Sequence, residues 1–429
     1  MKHILKKIII FILTLEAKLV LKKYKPRVIG ITGSVGKTST KDAIFTALQT
    51  TYFVRKTEKS FNSEIGIPLT ILGLPNGWND PKTWFLNIIK GLKVLFQKTE
   101  YPAWLVLEIG ADRPGDIARV MSWLKIDIAV FTRIGKVPVH VEFYPSVADV
   151  VKEKSNLLNG LKRNGVIVLN QDDSDLLLLK ENKKHQHITF GLKSKADVGA
   201  SYPSIVYEDD VPKGMSVKID VEGSSFPVML KQALGPQHIY PVLASFCVAK
   251  HLEINLINVS LAFGEHQCAP GRMNIIPGKN QMVLIDDTYN ASPLAVEEGM
   301  ELVKTIKTKH RKIAILGDML ELGRHSVAEH LRLGELGASV FDVIVAVGMR
   351  AQDFLDGAEI KKMDKKNLHW FESSLEAKEK IDSILKEGDV VYIKGSQGAR
   401  MERVVETLLQ DRLKQKKLLV RQEEEWQQR

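Results

Sequence analysis

The stretch GITGSVGKTST, residues 30–40, constrains the fold more than any other part of this chain. It joins an apolar segment that can end a strand to a segment that reads as a helix. The common phosphate-loop pattern G-x-x-x-x-G-K-[ST] has a glycine five residues before Gly36, where this chain has Ile31. Gly33 and Gly36 can still aim N–H groups at an anion, and the helix start adds unpaired donors. The alternative is an ordinary glycine-rich turn, but Gly-Lys-Thr at a strand-to-helix junction favours nucleotide binding.

Three side chains fit this chemistry. Lys37 would reach the outer phosphates of a nucleotide, and the hydroxyl of Thr38 could ligate Mg²⁺. Glu108 stands at the polar end of the apolar run WLVLE, where a P-loop protein keeps its metal-side acid. Alternatively, Glu108 is only an exposed carboxylate in the turn that follows a strand. The presence of Thr38 as a second possible Mg²⁺ ligand favours the metal site.

Predicted strands and helices alternate from Arg27 onward. Short apolar runs that end in polar or small residues are typical of buried parallel strands. They are WLVLEIGA, DIAVFTRIG and GVIVLNQDD in the first part, and QMVLIDDTYNASP, KIAILGDM, DVIVAVG and DVVYIKGS in the second. With helices between them, the pattern predicts an α/β fold, with a P-loop doubly wound central domain followed by a Rossmann-like C-terminal α/β domain.

Other segments predict the boundaries. Residues 197–230 alternate as SVKIDVEGSSFPVML and predict antiparallel strands in a small sub-sheet. The stretch FGEHQCAPGRMNIIP, with two prolines and two glycines, predicts a linker, and the charged tail from Asp411 predicts a frayed helix. We expect a basic amphipathic helix at 1–26, the central domain at 27–268, the C-terminal domain at 269–412 and a charged tail at 413–429.

Composition narrows the partners. The 429 residues carry a net charge of +10, which suits an anionic substrate or a membrane surface. Nucleic acid is not expected as a partner, because the chain has no aromatic-basic recognition module. Its two cysteines, Cys247 and Cys268, argue against a disulfide framework and are typical of a reducing cytoplasm.

The N-terminal segment MKHILKKIIIFILTLEAKLVLKKYKPR has two interpretations. Its apolar core, residues 8–15, is far shorter than the ~20 residues needed to span a bilayer, and Glu16 and Lys18 interrupt it. A cleaved signal peptide is not expected, since no small-residue cleavage site follows. The segment is either a basic amphipathic helix in peripheral contact with the cytoplasmic membrane or a helix packed on the first domain.

A histidine and a lysine extend the candidate site. His140 follows the strand DIAVFTRIG, and a lone histidine in a loop is more often structural than a ligand. In the next segment, SVADVVKEKSNLLNGL, Ser146 and Asp149 resemble a capping box that starts a helix. Lys154 falls on the apolar stripe of that helix, and burying a lone ammonium is costly. Either its head group snorkels to the surface, or Lys154 is modified or faces anions.

Together the loop spelling G-x-x-G-x-x-G-K-T, Glu108, His140 and Lys154 resemble the Mur ligases, ATP-dependent amide-forming enzymes of peptidoglycan synthesis. Within that family, the resemblance is to members that add D-alanyl-D-alanine. Seven strings stand in the family's order between about residues 27 and 405: GITGSVGKTSTKD, NSEIGIPLTIL, EIGADRPGDI, PGRM, DDTYNASP, LGDMLELG and KGSQGARMERV. The family's separate N-terminal domain, which binds the UDP end of the substrate, is expected to be missing.

The resemblance implies roles for individual residues. ATP would be bound by Gly33, Ser34, Val35, Gly36, Lys37, Thr38 and Ser39, and from the C-terminal domain by Arg272, Asp287 and Tyr289. The metal ligands would be Thr38, Glu108 and His140, while Lys154 matches a carbamylated lysine whose added carboxylate organises a second Mg²⁺. The implied catalytic residues are Lys37, Glu108, His140 and Lys154, and Asn62 would position substrate. In the region that contacts adenine in the family, Gln237, His238 and Pro241 replace the usual histidine and two asparagines, and Ser292 also stands where asparagine is usual.

The implied reaction is ATP-dependent formation of an amide bond through an acyl phosphate. A peptidoglycan precursor would accept D-alanyl-D-alanine or another amino acid. Two alternatives remain at this point: a related ligase of the folylpolyglutamate or cyanophycin type, and a non-enzymatic cell-wall partner with a decayed site. The strings LGDMLELG and DDTYNASP favour the first interpretation over the second, and the complete set of candidate residues argues against the third.

Overall fold

The computed structural model describes residues 2–58, 64–78, 80–111, 113–135, 144, 146–181, 184–423 and 426, and side chains from residue 7 onward within that set. Asn62 and His140 lie outside the described residues.

In the first part of the chain, the described residues run from an N-terminal helix through nine strands. The elements are α1 (Lys2–Tyr24), β1 (Arg27–Thr32), α2 (Lys37–Leu48), β2 (Val54–Lys56), α3 (Gly66–Leu72), α4 (Pro81–Phe96), β3 (Trp104–Glu108), α5 (Asp116–Met121), β4 (Ile126–Phe131), α6 (Val147–Ser155), β5 (Leu161–Asn170), α7 (Ser174–Leu177), β6 (Gln186–Phe190), β7 (Val198–Glu208), β8 (Val211–Val221), β9 (Ser224–Lys231), α8 (Pro236–His251) and α9 (Leu256–Ala262). Their sheet has the order β2-β3-β1-β4-β5-β6-β7-β8-β9.

The second part builds a smaller sheet. Its elements are β10 (Asn274–Pro277), β11 (Val283–Asp287), α10 (Pro293–Thr305), β12 (Lys312–Gly317), α11 (Ser326–Gly337), β13 (Val343–Val347), α12 (Gln352–Ile360), β14 (Leu368–Phe371), α13 (Ser374–Lys380), β15 (Val390–Lys394), α14 (Glu402–Leu408) and α15 (Gln415–Leu418). The order is β10-β11-β15-β12-β13-β14, and all neighbours are parallel except β10 and β11. The predicted α/β fold, with buried parallel strands in both sheets, is confirmed.

The antiparallel strands were predicted correctly, but their placement was not. Strands β7, β8 and β9 pair antiparallel with one another. They do not form a separate sub-sheet, because Phe190 of β6 pairs with Val198 of β7 and continues the central sheet. The apolar alternation along a strand shows which of its faces is buried. It does not show which other strand it pairs with, or which sheet it belongs to.

Helix α1 packs on the central unit, against α3 and α4. Leu13, Ala17 and Val20 are completely buried there. The opposite face is mixed, since Phe11 and Leu15 are exposed on it together with Lys18 and Lys22. Within the described part of the chain, no helix is both long and apolar enough to cross a membrane.

The C-terminal tail was predicted as a frayed helix, and it is helical at its start, in a short turn at Arg412–Lys414 and in α15. The described residues between α15 and residue 423 are not helical, and Arg421 is 6% exposed. Its guanidinium donates to Glu402 Oε2 at 3.1 Å and to the carbonyl of Tyr289 at 3.0 Å. The charged composition of the tail suggested solvent exposure, but this arginine has buried partners.

Candidate active site

One polar cavity of about 460 Å³ lies between the two units, at the carboxyl ends of β1, β3, β11 and β15. In open α/β sheets this end of the strands is where ligands bind. The predicted residues that line it are Ser34, Val35, Gly36, Lys37, Thr38, Ser39, Glu108, Lys154, Arg272, Asp287 and Tyr289. The fold therefore brings residues more than 230 positions apart in the sequence into one cavity.

The loop after β1 has the geometry of an anion cradle. Gly33 and Gly36 have φ values of +146° and +86°, which L-residues rarely adopt. A Cβ atom at Gly33 would also collide with the hydroxyl of Thr132. The loop is held because the N–H groups of Ser34 and Val35 donate to the carbonyl of Arg133 at 2.7 and 3.1 Å. Both glycines are thus required by backbone conformation, and the loop opens directly into the first turn of α2.

Lys37 and Thr38 project from that first turn. The Lys37 ammonium reaches back across the glycine-rich loop and donates to the carbonyl of Gly33 at 2.8 Å. The Thr38 hydroxyl donates to Glu108 Oε2 at 2.9 Å. The register of β1 with β3 places Ile31 opposite Glu108, so the carboxylate stands beside the start of the loop. A hydroxyl and a carboxylate oxygen are ligands that Mg²⁺ accepts.

Helix α6 delivers Lys154 to the same cavity. The helix begins after Ser146, whose side-chain oxygen accepts from the N–H of Asp149 at 3.3 Å, as the capping pattern predicts. Lys154 is 4% exposed and therefore does not snorkel to the surface. Its neighbour Glu153 is also buried and accepts from the N–H groups of Gly115 and Ile117 at 2.8 and 2.9 Å. Glu153 thereby fixes α6 to the segment that follows β3.

The second unit contributes an arginine from the opposite side. The Arg272 guanidinium lies 3.9 Å from the centre of the Tyr289 ring, and its Nη2 lies 3.5 Å from the Thr38 hydroxyl. Its carbonyl is 2.6 Å from His238 Nε2. Burial lowers the pKa of His238 to about 4, so the ring is neutral and its Nε2–H donates to that carbonyl. His238 therefore supports Arg272 from behind.

Asp287 is held by a buried ion pair at the end of β11. Lys394, at the end of β15, donates to Asp287 Oδ2 at 2.5 Å and to the carbonyl of Asn290 at 3.0 Å. The register of the two strands places Asp287 directly opposite Lys394. Both side chains line the cavity and are less than a tenth exposed. An ion pair this deep is stable only with good geometry and further hydrogen bonds, which Lys394 has.

The cavity fits a polyanion with a metal ion. Several buried polar atoms around it have no hydrogen-bond partner among the described residues: Ser34 Oγ, Gln237 Oε1, Arg272 Nε and Glu298 Oε2. Buried polar groups are normally hydrogen-bonded, so these atoms are ready for a ligand. The described residues contain no cluster of three or more His, Cys, Asp or Glu side chains that could hold a metal alone. The oxygen pair of Thr38 and Glu108 would instead share the ion with phosphate oxygens.

Sequence reasoning missed several residues of this site. Lys394 could have been noticed, because it is a lysine at the end of the apolar strand YIK. Arg133 and Glu298 form an ion pair at 2.5 Å between the two units, and only the tertiary fold brings them together. No local pattern marks Glu153 or Arg421 either.

A P-loop α/β unit that shares one polar cavity with a second α/β unit defines a nucleotide-dependent enzyme of two domains. The chain belongs to the Mur ligase family: the family model for the Mur ligase middle domain matches residues 31–249, and that for the Mur ligase glutamate ligase domain matches residues 271–397.

Three relatives illustrate the similarity. The UDP-N-acetylmuramoyl-tripeptide–D-alanyl-D-alanine ligase of Bacillus subtilis (strain 168) is 27% identical over 399 residues, covering 92% of this chain and 79% of the relative. The structure of MurF from Acinetobacter baumannii has a TM-score of 0.76 at 25% identity, covering 93% of this chain and 80% of its own. MurF from Thermotoga maritima, in complex with ADP, has a TM-score of 0.74 at 26% identity and covers 95% and 84%.

Proposed function

We propose that this protein is an ATP-dependent, ADP-forming ligase that joins D-alanyl-D-alanine to the peptide of a peptidoglycan precursor. The observation that carries the proposal is the shared cavity: Lys37, Thr38, Glu108 and Lys154 from one unit face Arg272 and Asp287 from the other. The relatives with this reaction in their names match both units over about nine-tenths of the chain. The names of these relatives do not include a folylpolyglutamate-type reaction or a protein without activity.

The reaction has two steps. A carboxylate oxygen of the acceptor attacks the γ-phosphorus of ATP, and the bond between that phosphorus and the oxygen bridging to the β-phosphate breaks. ADP departs, and the acceptor is now an acyl phosphate. The amine of D-alanyl-D-alanine then attacks the acyl carbon, loses a proton, and phosphate departs. Lys37 and the N–H groups of the first turn of α2 stabilise charge on the transferring phosphoryl group, as preorganised donors do. Arg272 and Asp287 bring the second domain onto ATP, which shields the acyl phosphate from water.

Mg²⁺ fits the donor set around Thr38. Thr38, Glu108 and His140 would hold one ion, and a carbamylated Lys154 would serve a second. When bound, the metal neutralises phosphate charge and orients the γ-phosphoryl group. Burial of Lys154 supports the modification, because carbamylation converts an ammonium that is costly to bury into an anionic ligand. Asn62 would position the acceptor.

We place the enzyme in the cytoplasm, in peripheral contact with the inner face of the membrane through residues 1–26. Two free cysteines support a reducing compartment. The apolar residues exposed on α1 support a membrane contact.

The test is a phosphate-release assay that crosses acceptors with added groups. The acceptors are UDP-linked tripeptide, its lipid-linked counterpart and folate; the added groups are D-alanyl-D-alanine, single amino acids and glutamate. We expect ATP- and Mg²⁺-dependent release with a tripeptide acceptor and D-alanyl-D-alanine, with a product equal in mass to both substrates minus water. Release with folate and glutamate alone would overturn the assignment.

A further inference from the structure

The exposed face of α1 is apolar. Its large exposed side chains are Ile8, Phe11, Leu15 and Leu19, with exposed fractions between 45% and 69%. Their spacing of three and four residues puts them on a single stripe of the helix. The opposite stripe, which includes Leu13 and Val20, is already buried in the central unit, so the exposed stripe is not needed to hold α1 in place.

Helix α4 presents a second such stripe. Its large exposed side chains are Phe85, Leu86, Ile89, Leu92 and Phe96, of which Phe85 and Phe96 are 65% and 85% exposed. The residues of α4 that are fully buried are Asn87 and Gly91. Trp84, Ile88, Val94 and Leu95 of α4 pack against the core of the central unit, yet the opposite side of the helix is apolar as well, where a surface helix normally carries polar residues.

The two stripes lie side by side. Gly91 of α4 packs on Glu16 of α1, since a Cβ atom at Gly91 would overlap the Glu16 carboxyl group. Seven residues further along α1, Lys23 donates to the carbonyls of Leu95 and Gln97, at 2.8 Å each. Contacts that advance together along both helices mean that α1 and α4 run in parallel. Residues 8–19 and 85–96 thus occupy the same stretch of the pair.

The charge on this face has one sign. Helix α1 contains six lysines and α4 three, while Glu16 is the single acidic residue in either helix and is buried between them. Lys18 and Lys22 extend the α1 stripe, and Lys82, Lys90 and Lys93 flank the stripe of α4. Apolar side chains of this size surrounded by lysines complement an anionic lipid surface, in which the apolar groups enter the acyl boundary and the ammonium groups stay among the phosphates.

We infer that α1 and α4 together form one surface that binds the face of an anionic lipid bilayer, with α4 supplying its larger side chains. This extends the proposed contact of residues 1–26 to a second helix more than 50 residues away in the sequence. Its chemistry favours a headgroup layer over a protein partner, because neither helix carries an exposed acidic side chain and the exposed lysines described on them include Lys7, Lys18, Lys22, Lys82, Lys90 and Lys93. The surface is separate from the ATP cavity.

Flotation of the full-length protein with phosphatidylcholine vesicles, with and without phosphatidylglycerol, tests the surface. We expect flotation that depends on the anionic lipid and weakens as salt rises. The triple variant F85S/I89S/F96S should lower the bound fraction more than about tenfold, and K90E/K93E should abolish the dependence on phosphatidylglycerol. The matched control is I257S/L261S, which removes two side chains of α9 that are 60% and 70% exposed elsewhere on the central unit.

Three outcomes would overturn the inference. The wild type fails to float with anionic vesicles; or the α4 variant floats as well as the wild type while F11S/L15S in α1 does not; or the α4 variant only dissociates a dimer seen by light scattering. Thermal melting confirms that each variant is folded. The phosphate-release assay runs in parallel with soluble substrate, so an active enzyme that does not float contradicts only the surface, and an inactive enzyme that floats contradicts only the ligase reaction.

Discussion

Among single residues, Lys37 gives the most direct test of the cavity. Its ammonium bonds to the carbonyl of Gly33 and is aligned along the loop that would cradle the phosphates. We expect Lys37→Ala to lower kcat about 100-fold or more, because the transferring phosphoryl group loses a preorganised cation. Turnover is measured by coupled ADP release, with thermal melting as the folding check. Near-normal turnover in a folded variant would remove the loop from the mechanism.

Lys154 gives a chemical test of the second metal position. If its ammonium is carbamylated, Lys154→Ala should lose at least about tenfold in activity, and added short carboxylates should restore part of it. The control is Lys152→Ala on the same helix, whose side chain is exposed. Intact-mass measurement of the wild type under carbon dioxide provides the independent readout. An unmodified lysine in a fully active enzyme would contradict the carbamate.

The sequence identified this site through residues that break a local pattern. Lys154 was found because a lysine does not belong on an apolar stripe, and Glu108 because an acid closes an apolar strand. Glu153 was missed, because a glutamate next to a lysine is common in helices. Its role depends on the N–H groups of Gly115 and Ile117, and only the tertiary fold brings these to it. Arg133 and Glu298 are 165 residues apart, and no pattern in either segment predicts their contact.

Among the elements, the contact between α1 and α4 is expected to depend on pH. Glu16 lies in that contact at 3% exposure, and neither of its carboxyl oxygens has a hydrogen-bond partner in the described structure. Burial raises the pKa of Glu16 from 4.5 to about 7. Between these pH values the folded state binds more protons than the unfolded state, so stability falls as pH rises through this window and stays lower above it.

Glu16→Gln should therefore stabilise the protein at pH 8, on the order of 2 kcal/mol, and have little effect at pH 4. Urea unfolding at the two pH values measures the difference. Glu100→Gln is the control, because Glu100 is exposed beyond the end of α4. Equal effects of Glu16→Gln at both pH values would show that the carboxyl group does not titrate in the contact.

The positions of the strands were easier to predict from the sequence than what covers the apolar face of each helix. Every apolar run chosen as a buried strand became one, because a run of buried β-branched residues between turns has few other structures open to it. The exposed apolar stripe of α4 was not predicted. Periodicity shows that a helix has an apolar face, but it does not show whether that face packs on the protein core or contacts lipid.

At the scale of the whole molecule, one ion pair links the P-loop side of the central unit to the first long helix of the second unit. Arg133, just after β4, pairs with Glu298 of α10 at 2.5 Å, and the Arg133 guanidinium lies 4.9 Å from the centre of the Tyr240 ring. Both partners of the ion pair are about one-sixth exposed, so solvent screens the pair only in part. Because the polar cavity lies between the units, we expect this link to affect how closely they face each other, and so to act on nucleotide binding without contact with the reacting atoms.

We therefore expect Glu298→Ala to raise the KM for ATP about fivefold with a smaller change in kcat, since the reacting groups remain but the cavity opens more easily. Arg133→Ala should act in the same direction, and the double variant should be no worse than the stronger single one, with a coupling of about 1 kcal/mol. Arg133→Lys should recover part of the loss. Glu297→Ala is the control from the adjacent position, because Glu297 pairs with Arg332 inside the C-terminal unit and both are exposed. Additive effects of the two single variants, or an equal loss in Glu297→Ala, would mean that the ion pair does not couple the two units. The cavity would then be held closed by Arg272, through its contacts with Thr38 and Tyr289.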